Sequence, residues 1–282
     1  MSAITVTRAA ESPPAEPASR PRRWGALRAF GWRAFGVIVF VATWQLVALV
    51  VDSRAVLPGP TAVLEALARS WWDDPGLSYL GVSQPSYLVN IGWTVGFAAA
   101  AWAVGSALGA CVGLASGRMQ WVRNLSEPLL FVFGAVPALV LAPFFLVWFG
   151  QGWPSKVVLV GFYCFVSVGL VAQSAALKSP RVNEEYAATL GISARDRFRR
   201  VVVPGAVPAV LAGLRIALAT AIAVQATVEL LGSQRGAGRL IALRASQGDV
   251  AAVLGLSIAL GIVAVVLDAV LRVVIRRAVR WQ

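Results

Sequence analysis

The chain alternates between long stretches without charge and short segments crowded with arginine. No Asp, Glu, Lys or Arg falls between Asp74 and Arg118, between Glu127 and Lys156, or between Lys156 and Lys178. Such runs reach the roughly 20 apolar residues that a helix needs to cross a bilayer. Lipid offers no partner to an open backbone, so each run is expected to be helical. The pattern predicts spans at 33–51, 88–116, 127–149, 157–177, 207–232 and 250–273. The expected fold class is an all-α membrane protein with about six transmembrane helices.

The segments between the spans set orientation. With the N-terminus inside, the inner segments hold eighteen Lys and Arg and the outer ones six, with Arg215 inside a span. That bias places both termini in the cytoplasm. Residues 1–30, rich in Pro, Ala, Ser and Arg near their start, read as a flexible tail. Arg22-Arg23 ahead of an apolar stretch resembles an export signal, but the run from Ala34 to Val51 is longer than a signal core and more spans follow. Residues 31–85 then form the first span and an external segment, and 86–282 the core with a charged loop at 178–204. In the external segment Leu57-Pro58-Gly59-Pro60 is a breaker. Val63, Leu64 and Leu67 after it share a helical face, followed by Trp71 and Trp72. This is a short helix lying either at the headgroups or on the protein's own outer face.

Composition narrows the chemistry. Hydrophobic residues make up 58% and charged residues 13% of the 282, against about 25% charged in a soluble domain. The net charge of +12 comes from arginines at span ends rather than from a soluble basic face, so no nucleic-acid partner is expected. Histidine is absent, which removes the usual general base and the commonest metal ligand. Cys111 and Cys164 stand alone within spans and read as small core residues. No G-x-x-x-x-G-K-[ST] loop occurs, so the chain is expected to bind no cofactor and to be no enzyme.

The segment 178–208 has its own design. Ser179 suits an N-cap with Pro180 at the first helical position, and Glu184 and Glu185 fall in the early turns. Gly191 stands where a left-handed residue ends that helix. Ser193 and Asp196 form a shortened capping box for a second helix, Pro204 is expected to stop it, and Pro208 to open the next span. Tyr186 and Leu190 share a face of the first helix, and Phe198 stands among charges on the second. The result is a charged element with a few apolar knobs, suited to a groove on a soluble partner.

The spacing Glu185-Tyr186-Ala187-x3-Gly191-x9-Val201-x-Val203-Pro204 resembles the EAA motif of permease subunits of bacterial ABC importers, with Tyr186 in place of a small residue. Four further segments resemble the branch for taurine, aliphatic sulfonates and nitrate. They are Leu57-Pro58-Gly59-Pro60, Val136-Pro137-Ala138 through Trp148-Phe149-Gly150, Leu211 through Ala217, and Glu229-Leu230-Leu231-Gly232. The resemblance implies a type I importer permease fold and a bacterial inner-membrane location. It also implies a coupling surface of Glu185, Tyr186, Ala187, Leu190, Gly191, Ser193, Asp196, Phe198 and Pro204. Two ATPase subunits holding ATP and Mg, a second permease copy or homologue and an extracytoplasmic solute-binding protein would be the partners, within membrane lipid.

Other positions carry weaker signals. Pro137 and Pro143 are expected to kink or loosen the third span. Gly105, Gly109 and Gly113 have the spacing of a close helix contact. Among ionisable residues, Arg215 is expected to snorkel, Glu229 to sit where water reaches it, and Asp268 to pair with Arg272. Arg215, Glu229 and the two prolines are candidates for the pathway or its gate. The rival reading, an ion-coupled transporter or channel working alone, needs acidic residues near the midplane.

Overall fold

The computed structural model describes residues 23–178 and 186–278, and all its regular elements among them are helical. The chain divides into two units, 1–47 and 48–282. The described part of the first unit lies within one helix, α1 (Arg23–Val51), whose apolar side chains, Ile38 and Phe40 among them, are exposed.

The second unit is organised around three long helices, α4 (Tyr87–Ser116), α7 (Trp153–Leu177) and α9 (Val203–Leu230). The α4 and α7 backbones touch in parallel register. A Cβ on Gly105 would stand 2.1 Å from the Gly161 oxygen, one on Gly109 2.3 Å from the Phe165 oxygen, and one on Gly113 2.4 Å from the Gly169 oxygen. Only glycine permits that approach, as the four-residue spacing predicts. Cys164 is buried in this core while Cys111 is exposed, which corrects the expectation that both are core residues. Cys111 faces away from the glycine stripe because it lies two residues from both Gly109 and Gly113. Helix α9 runs antiparallel across the pair. Trp102 donates from Nε1 to the Leu214 carbonyl at 2.9 Å, and Gly213 packs under Val171.

The third predicted span, 127–149, is not one helix. It consists of α5 (Gln120–Ala135) and α6 (Ala138–Phe149), bent by 105° at Val136-Pro137. Proline forces its predecessor toward extended backbone, and Val136 takes φ −82° and ψ 124°. The Tyr163 hydroxyl donates to the Val136 carbonyl at 2.6 Å, satisfying an oxygen that the break frees. Pro143 lies inside α6 without ending it. Among the described residues five helices are long and apolar enough to cross a membrane, and six crossings result if the bent pair is counted as one span.

The external segment folds onto the body. Helix α2 (Pro60–Ser70) buries Val63 and rests Leu67 on Gly255 of α11 (Val250–Ala278), while Leu64 and Trp72 stay exposed. Of the two placements open to this helix, packing on the protein is the one adopted. Asp74 fixes the next turn, α3 (Pro75–Tyr79), by accepting from Gly76 N at 3.0 Å and Ser70 Oγ at 2.5 Å. Arg244, on α10 (Ala237–Ser246), reaches both Asp74 and the Tyr87 hydroxyl.

Candidate coupling surface and interhelix sites

At one end of the bundle, residues 186–189 form a helical turn closed by Gly191. Gly191 takes φ +72°, donates to the Ala188 carbonyl at 3.0 Å, and is followed by Ile192 donating to Ala187 at 3.2 Å. This is a Schellman closure, and it supplies the left-handed residue that the sequence placed there. Ala187 is buried, whereas Tyr186 and Leu190 are 67% and 63% exposed. A single turn therefore offers two apolar side chains to solvent. Glu185, with Ser179, Pro180 and Glu184, lies outside the described residues.

Ser193 caps the next helix, α8 (Ala194–Arg197): its Oγ accepts from Asp196 N at 3.2 Å and donates to Asp196 Oδ2 at 2.7 Å. Contrary to expectation, Pro204 does not stop the helix, and Pro208 does not open the span. Residues 198–202 widen into a π-helical turn, and α9 follows without a break, with Pro204 in its first turn and Pro208 inside it. An α-helical path would ask Pro204 for an N–H and press its ring on the carbonyl four residues back. In the wider turn Val203 N donates instead to Phe198 O, five residues back, and the chain stays helical. Residues 194–230 are thus one 37-residue rod, about 55 Å long at 1.5 Å per residue.

Arg118, which the sequence did not single out, fastens this rod. It donates to the Ala194 carbonyl and lies 5.8 Å over the Phe198 ring. Its position as the first charge after the apolar run of α4 was the available signal, but its partner lies 76 residues away.

The ionisable residues of the spans are committed elsewhere. Arg215 does not simply snorkel. It pairs bidentately with Asp268, Nε to Oδ1 at 2.8 Å and an Nη to Oδ2 at 2.9 Å, tying α9 to α11. Asp268 also takes the expected i,i+4 bond from Arg272 at 2.8 Å.

Glu229 is not the exposed residue expected: it lines a cavity, but only 2% of it is exposed. Its carboxylate accepts from Thr94 Oγ1 at 2.7 Å, Gln225 Nε2 at 2.8 Å and Gly238 N at 3.0 Å. The helix it supports, α10, was not foreseen. Gly236 N reaches Asn90 Oδ1 at 2.9 Å and Ala237 N reaches Thr94 Oγ1 at 2.8 Å. Side chains of α4 and α9 thus cap α10, whose own N-cap is Gly236, with no side chain to offer. A Cβ on Gly236 would stand 2.3 Å from the Glu229 carboxylate, and its φ of +106° also requires glycine. Of the pathway candidates, Arg215 and Glu229 join helices and Pro137 breaks one.

The helix order, the broken third crossing and the loop between the fourth and fifth crossings now stand together. Residues 105–281 match the family described as "Binding-protein-dependent transport system inner membrane component". The chain belongs to that family. It is a multi-pass membrane permease of an ATP-driven importer, a kind that works with an ATPase and a solute-binding protein. The permease is 28% identical over 253 residues to the taurine transport system permease protein TauC of Escherichia coli K12, covering 87% of each chain. It is 25% identical over 277 residues to the putative aliphatic sulfonates transport permease protein SsuC of Bacillus subtilis 168, covering 97% of this chain and 96% of that one. The permease fold is also that of the inward-facing MetNI methionine ABC transporter, with a TM-score of 0.57 at 20% identity over 69% of this chain and 95% of that one.

Proposed function

We propose that the chain lines the translocation pathway with a second copy or a homologous permease, that the 186–204 element takes up the motion of two ATPase subunits, and that the cargo is a small organic anion of the sulfonate class. The observation carrying this reading is an exposed apolar pair mounted on a stiff rod. Tyr186 and Leu190 suit a groove on a soluble partner. The helix 194–230 is unbroken, so by this reading a displacement of its end carries the whole helix with it. In this scheme Glu185 and Ala187 belong to the coupling surface with Tyr186 and Leu190, Gly191 sets the angle between turn and rod, and Ser193, Asp196, Phe198 and Pro204 shape the rod's end.

The excess of Lys and Arg supports placing this end and both termini in the cytoplasm, and the α10 end outside, facing the solute-binding protein. ATP and Mg would be held by the ATPases. The names of TauC and SsuC support taurine or an aliphatic sulfonate as cargo. Ion coupling within this chain is disfavoured because Glu229 is already engaged by three neutral donors and Asp268 by two arginines.

Co-expression with an ABC ATPase and its binding protein tests the reading. The ATPase should co-purify with the wild-type permease, and uptake of labelled taurine by proteoliposomes should require ATP. Tyr186→Ala combined with Leu190→Ala should weaken ATPase binding about thirtyfold and lower its recovery accordingly, since truncating two apolar anchors costs about 1 kcal/mol each. Undiminished recovery with the double variant, or accumulation without ATP, would overturn it.

A further inference from the structure

A cavity of ≈ 460 Å³ opens beside Glu229 between the 93–97 stretch of α4, the start of α7 and the 232–235 turn. This lies within the roughly 300–1,000 Å³ of small-molecule sites. One wall is aromatic. Trp93 stacks on Phe97 at 5.5 Å and Phe97 on Trp153 at 6.2 Å, the latter pair inclined by only 9°.

Its polar groups are unevenly matched. Lys156 is 4% exposed, and its ammonium donates to the carbonyls of Gln151 at 2.9 Å and Gly152 at 3.3 Å. An ammonium has three N–H donors, and no carboxylate among the described residues comes within 4.0 Å of it. Arg235 lies 5.1 Å over the Trp93 ring, likewise without a carboxylate among the described residues. These two cations against the Glu229 carboxylate leave the lining with one net positive charge. Gln225 Oε1, by contrast, is a buried acceptor with no donor among the described residues. Its amide orientation is fixed, because Nε2 must face Glu229 Oε1. The Glu229 carboxylate acts on Lys156 at longer range, so the charge left over on this lining is that of Arg235. A buried acceptor without a donor is costly, and one occupant meets both the surplus charge and the bare acceptor.

We infer that this cavity binds a small organic oxyanion that also carries a hydrogen-bond donor. The oxyanion sits between Lys156 and Arg235, the short apolar body lies against Phe97 and Trp153, and the donor turns toward Gln225 Oε1. An aminoalkanesulfonate has this chemistry. The inference rests on the sulfonate-permease reading and extends it: the permease itself, and not only the binding protein, contacts cargo, at the end proposed to face outside.

The test is equilibrium binding of labelled taurine to the full-length permease in detergent, without ATPase or ATP. Saturable binding is expected. Ethanesulfonate, which lacks the amine, should compete about tenfold less well, because it leaves the buried acceptor unfilled. Nitrate, without an apolar body, should compete least. Arg235→Gln, at an exposed position, should keep the fold and weaken binding about tenfold, and Lys156→Met should abolish it. Absence of saturable binding to the wild type overturns the inference, as does wild-type affinity in Arg235→Gln. ATP-driven uptake with the full set of partners is read separately, so uptake without this binding would sink the cavity assignment and leave the permease reading intact.

Discussion

Glu229 shows how a single buried residue organises one end of this protein. Its carboxylate gathers donors from α4, α9 and the start of α10, and the backbone around it has been pared to glycine so that they fit. Removing the acceptor strands those donors in the interior, at about 1–3 kcal/mol each. Glu229→Ala is therefore expected to lower thermal stability in detergent by several kcal/mol and to free α10, read as faster amide exchange at 236–240. A variant with unchanged melting and exchange would contradict this role. The sequence marked Glu229 as important for the wrong reason. Its place near a span end suggested contact with water, because Thr94 lies 135 residues away and Gly238 belongs to a helix that the sequence pattern did not announce. Lys156 was counted among outer charges for the same reason, although only 4% of it is exposed.

At the scale of elements, what could be read was what is local. Uncharged runs located the crossings, because lipid dictates their length and composition. Gly191 and Ser193 announced their caps, because a Schellman closure and a capping box are built from neighbours. The Pro137 break was legible as a weakness in the third crossing, but not as a 105° bend, since the bend is held from α7. Tyr163 supplies that hold. Tyr163→Phe should leave the Val136 carbonyl bare and cost about 1–3 kcal/mol, measured as a drop in melting temperature without loss of membrane insertion. An unshifted melt would mean that another donor serves the break. Pro204 was misread because proline usually ends helices. Here the π-turn removes the demand for its N–H, and two expected elements become one rod.

Across the whole molecule, the glycine stripe locks α4 to α7, α9 crosses both, and Arg215–Asp268 ties α9 to α11. A displacement at 194–202 therefore passes through a continuous helix into a tightly packed bundle rather than dissipating in a loop. Gly191 is the joint at which the exposed Tyr186–Leu190 turn meets that rod, and its φ of +72° costs a β-branched residue about 1–2 kcal/mol. Among the described residues a Cβ there meets nothing within 4 Å, so the substitution disturbs the backbone angle rather than their packing. The decisive quantity is solute imported per ATP hydrolysed, measured for the complete transporter in proteoliposomes carrying wild-type permease or Gly191→Val. Hydrolysis should continue in the variant while import per ATP falls at least about tenfold. An unchanged ratio, with the variant fully assembled, would show that force reaches the bundle by some other route.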